Sequence, residues 1–151
     1  MGARLLEGGP IADRIKAELQ PRIAALAATR PPRLVALLAG DNPGAKYYAK
    51  SQQKDCDELG IGYELRELDA EITQDDMMGV IADLNASPEA TGIILLVPVP
   101  GHLDARALQA AIAPEKDVDG VNPANLGRVV QGDRTLAPCT AQAAVTMVEE
   151  A

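Results

Sequence analysis

The sequence predicts an α/β domain, a three-layer βαβ arrangement with a mainly parallel sheet. Two short apolar runs, residues 34–38 and 91–97, are typical of buried strands, and residues 62–68 suit a further strand between them. Helical patterns separate them along the chain, and strands that alternate with helices of ten or more residues favour parallel pairing. The length of 151 residues corresponds to one domain and suffices to bury an independent core.

The first two helices are marked by their ends. A helix over residues 11–28 carries apolar residues at helical spacing and stops at the proline pair 31–32. A second helix over 45–59 follows turn residues 40–44, whose Asp and Asn can cap it. Gly60 is a suitable residue for its carboxyl end.

The rest of the chain is predicted from weaker signals. Helices are expected over 73–85, 104–112 and 141–150, and Thr140 is the expected cap of the last one. A pair of short strands is predicted near Val129 and Thr135, in a stretch rich in Gly, Pro, Asn and Asp.

Composition excludes several classes of function. The net charge of -8 repels phosphate backbones, so neither a nucleic-acid role nor an anionic-membrane role is expected. Cys56 and Cys139 make neither a disulfide framework nor a metal site, and the single histidine excludes a multi-histidine centre. The beginning of the chain lacks the apolar core of a signal peptide. These features favour a reducing, cytoplasmic location.

Ligands of doubly wound sheets bind beyond the carboxyl ends of the strands, which places loops 40–45, 98–102 and 116–120 at one edge. Near that edge, Tyr48 and Gln52 are four residues apart and share a helix face, so they can flank a flat polar ring. The alternative is a solvated amphipathic helix with one packed tyrosine.

The third strand ends in Pro-Val-Pro within residues 92–104, which forms either a rigid wall of a ligand slot or a simple strand terminator. His102 beside it is either a base or a solvated side chain. At the helix start, Cys139 is a weak candidate for a thiolate of lowered pKa, without a partnered histidine to support nucleophilic chemistry.

Two carboxylates in residues 114–128 form a further candidate site. Asp117 and Asp119 are two apart in an extended segment, so they point to opposite sides. One can face a cleft and accept paired hydrogen bonds from an amino-substituted heterocycle, while Lys116 can neutralise the other. The alternative is an acidic turn, and a calcium loop is excluded by the spacing of the acidic residues.

Taken together, these segments resemble the bifunctional methylenetetrahydrofolate dehydrogenase/cyclohydrolase family over nearly the whole chain. The resemblance is to its N-terminal, folate-facing domain over 1–137, with 138–151 as a helix leading toward a second, Rossmann-type NADP domain. No G-x-G-x-x-G follows a strand in these residues, so NADP is expected only with that second domain. The matching segments are GDNPG at 40–44, KDCDELGI at 54–61, GIILLVPVPGHLD at 92–104, PEKDVDG at 114–120, NLGR at 125–128 and PCT at 138–140.

The resemblance implies a reduced folate as substrate and assigns the residues that contact it. The family's tyrosine maps onto Tyr48 and its pterin-binding aspartate onto Asp119. Its catalytic lysine maps onto Gln52, a glutamine before the proline wall onto Leu96, and a serine onto Ala45. The implied substrate-binding residues are Tyr48, Gln52, Leu95, Leu96, Val97, Pro98 and Asp119.

The replacements predict that cyclohydrolase activity is lost. That reaction moves protons, which a lysine of lowered pKa can do near neutral pH and an amide cannot. Four alternatives stay open: a folate-binding domain that needs a nucleotide-binding domain or partner chain, a piece of an ordinary bifunctional enzyme, a non-catalytic regulatory module, and an enzyme of altered one-carbon chemistry. Whether the chain forms a homodimer is also open.

Overall fold

Residues 5–150 are described by a computed structural model, which contains nine helices and strands in that range. The predicted alternation of helices and strands is confirmed through the third strand. The elements are α1 (Gly8–Ala27), β1 (Arg33–Ala39), α2 (Pro43–Leu59), β2 (Gly62–Leu68), α3 (Gln74–Ala86), β3 (Gly92–Leu95), α4 (Ala105–Ala111), α5 (Pro123–Val130) and α6 (Cys139–Glu149).

The sheet is parallel, and β1 lies in its centre between β2 and β3. Alternate residues of a strand face opposite sides, so each strand of a sheet covered on both faces must be apolar throughout. β1 meets this condition because its five residues from Val35 to Ala39 are all buried. A single parallel bridge between Ile93 and Asp117 extends the sheet beyond β3.

Helices cover both faces of the sheet, as the three-layer arrangement requires. On one face, Val35, Leu37, Ile93 and Leu95 pack with the buried residues of α3 and α4, such as Ile81. On the other face, residues of β1 and of the β3 segment pack against two buried alanines of α2, Ala45 and Ala49. The strand residues of this cluster are Ala36, Leu38, Ile94 and Leu96. The small alanines let α2 approach the sheet closely.

The ends of α2 follow the predicted signals. The side chain of Asn42 accepts a hydrogen bond from the backbone N–H of Ala45 at 3.0 Å, and Pro43 occupies the first turn, where no donor is needed. Gly60 ends the helix in the left-handed conformation, with φ of 76°. Lys16 of α1 bridges to Asp55 and Glu58, so α1 lies against the outer side of α2.

Three expectations are wrong in the last third of the chain. The strand pair near Val129 and Thr135 is absent from the described residues, because Asn122 caps α5 and Pro123 begins it. Thr135 lies instead in a turn held by the side chain of Asp133. The last helix begins earlier than predicted, and Pro138 stands at its cap position without a side-chain hydrogen bond, so Thr140 is not the cap.

β3 is also shorter than the predicted strand. It ends at Leu95, although the backbone N–H of Leu96 still donates to the carbonyl of Leu37. Beyond it, the prolines at 98 and 100 lack the donors that a ladder needs. None of the described helices is long and apolar enough to cross a bilayer.

Candidate functional site

Loops that follow the strands meet at the carboxyl edge of the sheet. Gly40, which follows β1, adopts φ of 79°, and a Cβ there would lie 3.7 Å from the ring of Pro100. The segment that carries Asp117 runs parallel to β3, because Ile93 donates its N–H to the carbonyl of Lys116 at 2.8 Å. These contacts bring the loops after β1 and β3 together and extend the edge to the segment beside β3.

Tyr48 and Gln52 lie on α2 above this edge. Ala45 and Ala49 bury the face of α2 that meets the sheet, which leaves Tyr48 54% exposed at the margin. Gln52 is half-buried one turn further on, and the hydroxyl of Tyr63 on β2 donates to its Oε1 across 3.4 Å. The predicted phenol and amide therefore share one side of the site, and a second phenol stands behind the amide.

Asp119 lies within electrostatic reach of Tyr48. Partial burial raises the pKa of the Tyr48 phenol, the Asp119 charge and the Cys139 thiol raise it further, and a hydrogen bond with Gln52 opposes them. Burial also raises the pKa of the half-buried Asp119, and the neighbouring Asp117 charge adds to this rise. A half-buried carboxyl and an exposed phenol thus lie within electrostatic reach of each other, although they are far apart in sequence.

The other phenol of the group is held neutral. Burial raises the pKa of Tyr63 to about 12, and the neighbouring Cys56 and Tyr48 add to the rise. Tyr63 was not among the candidate residues from the sequence. Its signal is the period of two along β2, since Tyr63 and Leu65 both pack on the cluster beneath α2.

Lys116 does not neutralise either aspartate, contrary to the expectation. Its buried ammonium donates to the carbonyls of Leu84, Asn85 and Ser87 at 2.8, 2.7 and 2.7 Å. These carbonyls belong to the carboxyl end of α3, where the helix dipole favours a cation. All three donors of the ammonium are therefore used away from the site.

The remaining candidates are distributed around the edge. Val97 and Pro98 are exposed just beyond β3, joined by a cis peptide bond, and the buried Leu96 lies beneath α2. The side chain of Leu95 packs in the core under α3 and α4, and its assignment to the substrate site stays a prediction.

The structure gives two other candidates, His102 and Cys139, structural contacts. Nε2 of His102 forms a hydrogen bond with the carbonyl of Ile72 at 2.9 Å, in the loop before α3. Partial burial and the Asp119 and Asp117 charges raise the pKa of Cys139, whose thiol donates to the carbonyl of Val118 at 3.1 Å. The alternative of a lowered thiol pKa, which the sequence did not favour, is therefore wrong, because burial and then the acidic neighbours raise that pKa.

The described residues do not fit a dinucleotide. Such a cofactor places its pyrophosphate on free N–H groups at a helix start after a strand. At α2 these donors are removed by Pro43 and the Asn42 cap, and α3 begins with a Thr73 cap followed by two aspartates. At α4, which follows β3, the Asp104 side chain accepts from the N–H groups of Arg106 and Ala107. No helix that directly follows a strand in residues 5–150 therefore offers a phosphate cradle.

The fold defines an α/β domain whose candidate ligand-binding residues lie along the carboxyl edge of a parallel sheet. Comparison with known protein families identifies the family of this domain. The sequence model of the tetrahydrofolate dehydrogenase/cyclohydrolase catalytic domain matches residues 6–119. The chain therefore belongs to the tetrahydrofolate dehydrogenase/cyclohydrolase family. The family is named for reactions of tetrahydrofolate, which belong to one-carbon metabolism.

The matches extend over nearly all of this chain but over only about half of each relative. Bifunctional protein FolD 2 of Mesorhizobium japonicum is 41% identical over 98% of this chain and 49% of its own length. The bifunctional FolD enzyme of Campylobacter jejuni is 32% identical, with a TM-score of 0.92 over 97% of this chain and 53% of that one. The Trypanosoma brucei enzyme, solved with NADP and an inhibitor, is 28% identical with a TM-score of 0.89, covering 99% and 52%. The chain thus spans about half the length of these relatives.

Proposed function

We propose that this chain is the folate-binding half of a methylenetetrahydrofolate dehydrogenase/cyclohydrolase-like protein and that it binds a reduced one-carbon folate. The observation that supports this proposal most is that Asp119 lies within electrostatic reach of Tyr48, beside the carboxyl edge of the sheet. The folate-facing domain is proposed as residues 1–137, and 138–151 as the helix leading toward a nucleotide-binding domain.

Asp119 is the proposed anchor of the pterin ring. A carboxylate can accept two parallel hydrogen bonds from an adjacent ring N–H and amino group, and its half-buried position limits competition from water. The exposed ring of Tyr48 offers a flat face on which the pterin can stack. Val97 and Pro98 are proposed as the wall of the slot because they are exposed where β3 ends.

The loss of cyclohydrolase activity is the second part of the proposal. Hydrolysis of a methenyl group needs a residue that moves a proton near neutral pH, and the group at position 52 is an amide. Its oxygen is in contact with a phenol whose pKa is raised to about 12, and Leu96 adds an apolar side chain beneath α2. The surface that these three residues form therefore has no base that titrates near pH 7.

A larger parent enzyme is the second candidate function. Its support is the share of the relatives' length that this chain spans, together with the surface of α6. Ala144, Val145 and Val148 are exposed on that helix, and none of its described residues is buried. In a longer chain, NADP-dependent dehydrogenation would use a second domain that covers this apolar stripe.

Calorimetric titration with 5-formyltetrahydrofolate, a stable reduced folate, tests the binding proposal. We expect saturable binding by the chain and about ten- to a hundredfold weaker binding by Asp119→Ala, since charge-assisted hydrogen bonds contribute roughly 1.5–3 kcal/mol. Asp83→Ala is the control because that exposed residue lies on α3, across the sheet. Equal affinity of Asp119→Ala and the parent chain would show that Asp119 does not anchor the pterin.

A further inference from the structure

The carboxylate of Asp117 is buried beside the site, and the proposed function does not use it. Asp117 is only 1% exposed. Its Oδ1 accepts from the backbone N–H of Gly120 at 3.0 Å, and its Oδ2 accepts from the backbone of Asn122 at 2.8 Å and the amide of Asn125 at 2.9 Å. Three uncharged donors therefore satisfy a buried carboxylate whose neighbour Lys116 is turned away.

These three hydrogen bonds close the turn that contains Asp119. The contacts from Asp117 to the backbone of Gly120 and Asn122 bridge over Asp119, and the contact to Asn125 ties the turn to α5. On the outer side, the carbonyl of Asp119 accepts from the N–H of Cys139 at 3.3 Å. The backbone of Asp119 is thus held between the network and the start of α6.

The turn has little freedom to move. Gly120 adopts φ of 73°, a conformation that favours glycine, and a Cβ there would lie 2.5 Å from the carbonyl carbon of Ala137. Asn125 is buried too, donates to the carbonyl of Pro114 at 2.8 Å and accepts from Arg128 at 3.0 Å. The network therefore links the turn to α5 and to the segment before α6.

We propose that Asp117 is a positioning residue of the folate site: its buried carboxylate fixes the turn that presents Asp119 to the pterin. This inference rests on the proposed function for the identity of the ligand. The hydrogen-bonded turn and its effect on Asp119 do not depend on that identity, so they can be tested without folate.

The charge of Asp117 gives the role a signature that a merely structural contact lacks. It adds to the burial that raises the pKa of Asp119, so the carboxylate form of Asp119 appears at a higher pH than for an ordinary aspartate. The groups that face Asp119 are Tyr48 from α2, Cys139 from α6 and Asp117 from its own segment. Of these three groups, Asp117 is the carboxylate, and its charge is the one that raises the pKa of Asp119.

The first test is the pKa of Asp119 in the ligand-free protein, measured from its carboxyl carbon by NMR titration. We expect Asp117→Asn to lower that pKa, because a neighbouring negative charge is removed, and the midpoint of the pH profile of folate binding to fall with it. Asp83→Asn is the matched control, since it removes the same charge from the exposed face of α3. An unchanged Asp119 pKa in folded Asp117→Asn would overturn the proposal.

The second test keeps the charge and removes one donor, which covers the case in which Asp117→Asn does not fold. Asn125→Ala takes away the 2.9 Å hydrogen bond to Asp117, and we expect lower NMR order parameters at Asp119 and Gly120 than in the parent chain. Unchanged order parameters at both residues would overturn the positioning role. A parent chain that binds no reduced folate would contradict the proposed function alone, because the Asp119 pKa and the order parameters are both measured without ligand.

Discussion

The hydroxyl of Tyr63 on β2 donates to the side-chain oxygen of Gln52 on α2, across 3.4 Å. This contact joins the strand at the edge of the sheet to the helix that carries the candidate site. Gln52 also lies one turn from Tyr48 on α2, and it opposes the rise in the Tyr48 pKa that burial and the Asp119 charge cause. A phenol, an amide and a phenol therefore form a neutral row where the family resemblance implies a lysine.

The neutral row leads to a prediction for catalysis. We expect hydrolysis of methenyltetrahydrofolate to proceed at the solution rate, since a missing positioned acid–base group typically costs about 10²–10⁴-fold. Gln52→Lys alone should help little, because Leu96 offers the new lysine no hydrogen bond. Gln52→Lys with Leu96→Gln should recover more activity than the sum of the single changes.

The measurement is a double-mutant cycle on the hydrolysis rate, in a chain that is joined to a nucleotide-binding domain. Lys50→Gln, an exposed change on the same helix, serves as the control. Robust hydrolysis by the unmodified protein would mean that another group carries the proton, and the proposed loss of activity would be wrong.

Lys116 should stabilise the fold rather than the site. Lys116→Met leaves the three carbonyls at the end of α3 without their donor, and we expect a loss of about 1.5–3 kcal/mol in the free energy of unfolding. Urea denaturation measures it, with Lys50→Met as the exposed control. Equal midpoints for the two variants would contradict this role.

The apolar stripe of α6 should contribute little to the stability of the 151-residue chain. Val148 is 69% exposed, so Val148→Ala should change the free energy of unfolding by less than about 0.5 kcal/mol. Ile81→Ala in the core should cost about 2–5 kcal/mol in the same thermal or urea experiment. In a chain that includes a second domain over α6, Val148→Ala should lower the free energy of unfolding by more than in the 151-residue chain. An equal loss in the two chains would argue against a second domain that covers the apolar stripe.

The 151 residues alone should not bind NADP. The helices that directly follow strands in the described range begin with proline, side-chain caps or aspartates, which leave no phosphate cradle. Isothermal titration with NADP should therefore show no saturable heat. Saturable binding at micromolar concentration would contradict the division into a folate-facing and a nucleotide-facing domain.

Much of the fold could be predicted because its signals are local. The apolar runs of β1 and β3, the Asn42 cap and the Gly60 terminus each act through their own neighbours in sequence. α5 departs from the prediction although Asn122 and Pro123 repeat the local start signal of α2. The many Gly, Pro, Asn and Asp residues around it favour turns and short strands in the sequence pattern, and they obscure that signal.

The site was predicted less completely. Tyr48, Gln52 and Asp119 came from spacing and resemblance, and the structure places Tyr48 near both Gln52 and Asp119. The partner of Gln52 is Tyr63 on another element, and the partners of Asp117 are neutral groups rather than Lys116. These contacts depend on how elements pack, which a single sequence does not encode in any local pattern.

NMR mapping of folate binding tests the central claim most directly, because it reports where the ligand lies. On addition of 5-formyltetrahydrofolate we predict that backbone amide signals shift at Tyr48, Val97, Asp119 and Gly120. Amides of Ile11 and Met147, which line an apolar groove between α1 and α6, should stay unchanged. Shifts confined to that groove, or no shifts at saturating folate, would contradict a folate site at the carboxyl edge of the sheet.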